Sequence, residues 1–135
     1  MEIHEFLACQ HRFRWGGVDG DDCTTFCASW VAARLGIDPA EELRGSYRDA
    51  ESARAIIDRE GGLVALFGSK LETLGFVRVD QAQDGDIGVV VAPSGIDGSL
   101  VEVGAVAFGP LWATLAPSGV AAKKLESVAI WRMPA

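Results

Sequence analysis
The chain changes character near residue 75, and this limits the folds open to it more than any single motif. Upstream, apolar residues recur at helical spacing. Within 2–12, Ile3, Phe6, Leu7 and Gln10 fall on one side; within 23–35, Phe26, Cys27, Trp30, Val31 and Leu35 follow a helical period. Asp22 stands where an N-cap belongs and Gly36 where a helix ends. "DPAEEL" offers a cap at Asp38 and Pro39 in the first turn of a short helix. "DAESARAIIDREGG" reads as a helix stopped by Gly61 and Gly62, and a shorter helical piece is expected through Leu71. Downstream the runs become short and rich in Val, Ile and aromatics: "FVRV", "DIGVVVA", "LVEVGAVAF", "LWATLA" and "SVAIWRM". Between them lie "QDGD", "PSGIDG" and "PSG", which are turn chemistry. Helices followed by strands joined by short turns give an α+β class, with N-terminal helices packed on a C-terminal antiparallel sheet of about five strands. The expected division is a helical part over about 1–74 and a sheet part over about 75–135.

The 135 residues suit one domain spanning 1–135, and 49% apolar content supplies a core without staples. A formal net charge of −7 with scattered basic residues excludes ordinary nucleic-acid and membrane-surface binders, which need clustered Lys and Arg. No run reaches the roughly 18 apolar residues of a membrane span. "MEIHEFLACQ" carries an early acid and no long apolar core, so no signal peptide is expected and folding in a reducing cytoplasm is. Three cysteines, Cys9, Cys23 and Cys27, do not make a disulfide framework.

Cys23 raises the chemical question. It follows the glycine-rich, acidic loop of "FRWGGVDGDDCTTFCASWV" and heads the second helical run. A helix head presents unpaired N–H groups and the positive end of the dipole, which favour a thiolate and can hold an oxyanion. A nucleophile belongs there, but so does any small buried residue. Metal binding is the third reading. Cys23 and Cys27 share a helix face, yet no second Cys or His pair follows, and His4 and His11 lie upstream; no metal or cofactor is expected. A Cys23–Cys27 bridge conflicts with helical geometry. "DGDD" at 19–22 has a calcium-loop look without the closing glutamate, so it reads as a solvated turn. Cys9 and Cys27 read as small buried side chains.

Taken together, "FRWGG…DDCTTFCASWV" resembles the signature of the NlpC-type papain-like cell-wall cysteine peptidases. Phe13, Trp15, Gly16 and Gly17 match an aromatic pair around Gly-Gly; Asp22, Cys23 and Phe26 match the Asp-Cys motif at a helix start. "DGDIGVVV" at 84–91 resembles the family's Pro-Gly-Asp-Leu segment, and "EVGAVAFG" at 102–109 its His-Val-Gly-Ile-Tyr-Leu-Gly strand. The resemblance implies a papain-like fold, hydrolysis of murein stem peptides, Cys23 as nucleophile, and a site lined by Phe13, Trp15 and Asp22.

It also marks departures. Glu102 stands at the histidine's position, and Phe13 lacks the hydroxyl that the family places near the oxyanion; a polar third residue falls near Thr114. A histidine takes the thiol proton and then favours the thiolate as a cation, whereas a nearby carboxylate raises the thiol pKa. The expectation is a diverged, catalytically impaired member. Small members of this kind resemble proteins of tailed phages and prophages. That implies synthesis in a bacterial cytoplasm, a place at a virion tail tip, and neighbouring tail-tip or hub proteins as partners. The competing expectation is an active cysteine peptidase or amidase that cuts murein peptides, with a histidine supplied in space. Trp112 and Trp131 are candidates for exposed contact residues or for core.

Overall fold
The computed structural model describes residues 1–93 and 98–135. Among the described residues four helices, α1 (Ile3–Ala8), α2 (Cys23–Leu35), α3 (Ala50–Arg59) and α4 (Leu63–Glu72), precede six strands. These are β1 (Val77–Val79), β2 (Ile87–Pro93), β3 (Leu100–Phe108), β4 (Leu111–Ala116), β5 (Gly119–Lys123) and β6 (Glu126–Arg132). They form one antiparallel sheet in the order β1-β6-β2-β3-β4-β5. The class is α+β, with the helices first and the sheet after.

The strand count corrects the expected five. The extra strand, β5, was hidden in "GVAAK", whose small residues carry little strand signal; the two-residue turn at Pro117–Ser118 pairs it with β4. "DPAEEL" forms turns instead of a helix. Asp38 does cap, accepting the Ala40 N–H at 2.9 Å, but the segment is too short to propagate. The first helix stops at Ala8, earlier than 12, because the chain turns extended at Cys9 (ψ 160°). His11 then reaches back, its Nε2 donating to the Phe6 carbonyl at 2.6 Å. The turn read at 93–98 lies largely outside the described residues. Among the described residues no helix is long and apolar enough to cross a membrane.

α2 forms where its caps dictate. Asp22 accepts the Thr24 and Thr25 N–H groups, the Thr25 hydroxyl accepts the Asp22 N–H, and Gly36 ends the helix at φ 73°. Its inner face, Phe26, Cys27, Trp30 and Val31, packs with Leu63, Leu66, Phe67 and Leu71 of α4 onto Ile87, Val89, Val106, Leu115 and Trp131. Trp131 is fully buried, its indole donating to Glu72 at 3.0 Å, and Trp112 is nearly so. Neither is the exposed contact residue that the sequence left open.

The far face of the sheet is also buried, although among the described residues no helix packs into its cluster: Val90, Ala105, Ala107, Trp112 and Ile130 pack there with Leu125. Chain length explains how. β5 and β6 stand four strands apart, about 19 Å in a flat sheet. Only two residues, Lys124 and Leu125, join them, which spans at most about 11 Å. The sheet therefore has to coil strongly, helped by the register shift between Val89 and Val90, and its concave back closes on itself. The Trp112 ring lies over Gly88, where a Cβ would come within 2.6 Å of it.

Candidate functional site at the head of α2
The loop 13–22 is fixed before it reaches Cys23. Phe13 and Asp21 form a parallel bridge, and a turn returns the Gly17 N–H to the Arg14 carbonyl at 3.2 Å. Gly16 and Gly17 adopt positive φ and pass so close to the Tyr47 carbonyl and the Thr25 side chain that a Cβ on either would collide. Arg44 clamps the loop from outside. It donates to Asp21 at 2.8 Å, the Gly17 carbonyl at 2.8 Å, Asp38 at 2.7 Å and the Ser29 hydroxyl at 3.2 Å. Phe13 is half-buried against the core, and Trp15, packed edge-on to it at 5.3 Å, stays 38% exposed.

Asp22 is buried and its carboxylate is fully used. One oxygen takes the Thr24 and Thr25 N–H groups at 3.0 and 2.9 Å; the other takes the Gly16 N–H at 3.2 Å and the Tyr47 hydroxyl. Tyr47 is the chain's only tyrosine, and burial followed by the Asp22 charge holds its phenol well above the ordinary 10.0. Asp22 is thus the polar hub that joins the loop, α2 and the Tyr47 segment.

Cys23 follows the hub and is partly exposed. Burial first, and the Asp22 charge second, push its thiol up to about 11; the Gly104 backbone and the Thr24 hydroxyl pull weakly the other way. The helix head alone would lower this pKa. Here desolvation and an adjacent carboxylate outweigh it, and the sulfur is a thiol at neutral pH. Cys27 is buried and its thiol is held well above 9.0, by burial and then by Cys23 and Asp22.

Neither histidine is among the groups that act on Cys23. His11 packs on the Phe6 and Phe26 rings at 4.8 and 5.1 Å, and His4 is exposed on α1. Glu102 is exposed near the start of β3. Its face can be assigned. A Cβ on Gly104 would meet the Cys23 carbonyl and the Cys27 sulfur, and Trp30 bonds Gly85, which bonds Ala107. α2 and β3 therefore run the same way. Position 102, two residues before Gly104, shares its face and lies just off the head of α2. Thr114 is not brought there. Its neighbours Ala113 and Leu115 are buried on the helix side, and its own hydroxyl bonds the Gly104 carbonyl at 3.1 Å from the back of the sheet. Among the described residues no three His, Cys, Asp or Glu side chains gather as a metal site.

Gly104, Tyr47 and Arg44 escaped the sequence reading. Tyr47 stands 25 residues from Asp22 and Arg44 23 from Asp21, so spacing could not pair them. Gly104→Ala is expected to cost about 1–3 kcal/mol, since its Cβ would sit 2.7 Å from the Phe67 ring. Chemical denaturation reads this as a lower midpoint at unchanged m-value. A wild-type midpoint would mean that helix and strand are not in this contact.

The "DGD" at 84–86 is likewise structural. Asp86 is buried, accepting the Gln83 N–H at 2.8 Å and two Arg132 donors at 3.1 and 2.8 Å, while Gly85 lies against Trp30. Of known families, the one described as "Domain of unknown function (DUF6950)" matches residues 3–133. No curated protein and no solved structure matches the chain significantly.

Proposed function
Since the chain belongs to the DUF6950 family, whose description assigns no activity, we propose from the site's geometry that it is a catalytically silent, papain-like module of NlpC type. It serves as a structural component of a phage-type tail tip, made in the bacterial cytoplasm and held in the virion by neighbouring tail or hub proteins. The protonated thiol carries this reading. A sulfur held up to about 11, beside a buried carboxylate and without an imidazole among the groups acting on it, has a nucleophile's position but not its charge state. The fold-level support is a cysteine heading a helix that packs on a glycine of a neighbouring strand. The −7 charge suits a component seated against basic neighbours better than a free enzyme acting on an anionic wall. The exposed Trp15 and Val18 on a rigid loop supply contact area for a partner.

One observation favours a second reading, an active cysteine peptidase or amidase on murein peptides. The Gly104 backbone and Thr24 hydroxyl both favour the thiolate, so a partner-supplied imidazole would find some of the site prepared. Iodoacetamide labelling from pH 5 to 9 separates the two, in a Cys9→Ser background because Cys9 is exposed. The expected result is negligible Cys23 labelling below pH 8 and no product from purified murein. Rapid labelling near pH 6, alone or with a tail partner, would transfer the conclusion to the hydrolase. A Cys23→Ala variant is expected to assemble and infect as wild type does; loss of infectivity with normal assembly would overturn the structural role.

A further inference from the structure
A cleft near the opposite end of α2 from the thiol joins room to unspent polar groups. It lies between the helical layer and the sheet: α1 and α2 form one wall, the turn at 83–86 and the end of β6 the other. Arg34, on the first wall, stands about 16 Å along the helix from Cys23. The cleft is open to solvent and holds about 140 Å³ of usable space. A cavity of about 150 Å³ takes a benzene molecule, so about six heavy atoms fit here. The floor is apolar and fixed. Ile3 and Trp30 are buried there, and the Trp30 indole donates to the Gly85 carbonyl at 2.8 Å.

The walls carry both signs of charge. On the sheet side, Arg132 donates to Asp86 through Nε and one Nη at 3.1 and 2.8 Å, and to the Gln81 carbonyl at 2.9 Å. Its other Nη has no partner among the described residues. Asp84 accepts the Gly109 N–H on one oxygen at 2.6 Å and keeps the other unused. On the helix side, Arg34 lies over the Trp30 ring and donates through one Nη to the Met1 carbonyl at 2.9 Å. Its ion pair with Glu2, at 3.7 Å, is loose, and its Nε and second Nη are unspent.

We propose that this cleft binds a free α-amino acid with a small side chain, its carboxylate on the open guanidinium edges of Arg34 and Arg132 and its ammonium on the unused oxygen of Asp84. The choice follows from the charges. A lone anion would face Glu2, Asp84 and Asp86, and a lone cation would face two guanidiniums. A zwitterion finds a charge-assisted hydrogen bond at each end. The apolar floor takes the small side chain, and the about six heavy atoms of alanine match the volume. The proposal goes beyond the silent-thiol reading and does not depend on it, since no residue of the cleft is among the groups acting on Cys23.

The probe is alanine, followed by amide NMR shifts on the intact chain. Shifts are expected at Ile3, Gln83 and Gly85. N-acetylalanine lacks the ammonium and alaninamide the carboxylate, and each is expected to bind about fivefold more weakly. Asp84→Asn keeps an oxygen for the Gly109 N–H; it is expected to weaken alanine about fivefold and leave N-acetylalanine unchanged. Arg34→Gln is expected to weaken both about threefold. Both substituted side chains are exposed, so the fold does not rest on them. Three outcomes overturn the proposal: no shifts at the cleft, either blocked form binding as tightly as alanine, or either variant binding alanine as wild type does.

Discussion
Raising the pH from 9 to 11 is expected to destabilise this protein by several kcal/mol, while the range below 9 leaves these thiols and the phenol without effect on stability. The cause lies in three groups around the α2 head. Cys23 titrates at about 11 when folded and near the ordinary 9.0 when unfolded. Between those values the unfolded chain has released the proton and the native chain still holds it. The unfolded state then binds fewer protons, so stability falls as pH rises. Below pH 9 both states hold the proton and the contribution is fully present. The two-unit difference amounts to about 2.3 kcal/mol by pH 11 and approaches about 2.7 kcal/mol above it. Cys27 is shifted in the same direction, and Tyr47 adds its own loss once the pH passes the phenol's ordinary 10.0. Together they remove several kcal/mol from a domain that has about 5–15 to lose. Denaturant midpoints at pH 7, 9, 10 and 10.5 measure this directly. Cys23→Ala should reduce the alkaline slope by about 1.4 kcal/mol per pH unit. A midpoint constant to pH 10.5 would show that the fold does not hold these groups protonated in this range.

Glu102→His is expected to wake the thiol. Glu102 is not among the groups acting on the thiol, but position 102 shares the Gly104 face just beyond the head of α2, so an imidazole there is expected to reach toward Cys23. It replaces a carboxylate with a group that can take the proton and remain as a cation. A fall of about two units in the thiol pKa would raise the thiolate population at pH 7 roughly a hundredfold. The less basic thiolate is also a weaker nucleophile, by about tenfold for that shift, so the net gain in iodoacetamide rate is about tenfold. The measurement is the pH–rate profile of Glu102→His against wild type, both in the Cys9→Ser background. Identical profiles from two folded proteins would place residue 102 away from the sulfur and remove the main support for the papain-like assignment.

Much of the fold was legible because local rules and tertiary packing agree. Asp22, Gly36 and the apolar period between them bound α2 to the residue, since caps act within one turn and need no distant partner. The strands around Val89, Val106 and Ile130 were equally plain, being β-branched runs between turn residues. β5 was not legible, because a strand of Gly, Val and Ala earns its place by pairing with β4 and by the coil of the sheet. The turn after Asp38 misled in the opposite way. It carries helix-start chemistry, but Arg44 engages the Asp38 carboxylate and binds the segment to the loop instead.

The sequence by itself settled that Cys23 heads a helix and that helices precede an antiparallel sheet. These are properties of near neighbours along the chain. The charge state of the sulfur was decided only in three dimensions. A helix head promises a thiolate, but Tyr47, Gly16 and the α2 N–H groups hold a carboxylate buried one residue away, and packing against the sheet takes part of the sulfur's hydration. Desolvation and a fixed neighbouring charge depend on what the fold brings from far along the chain, and no local spacing encodes them.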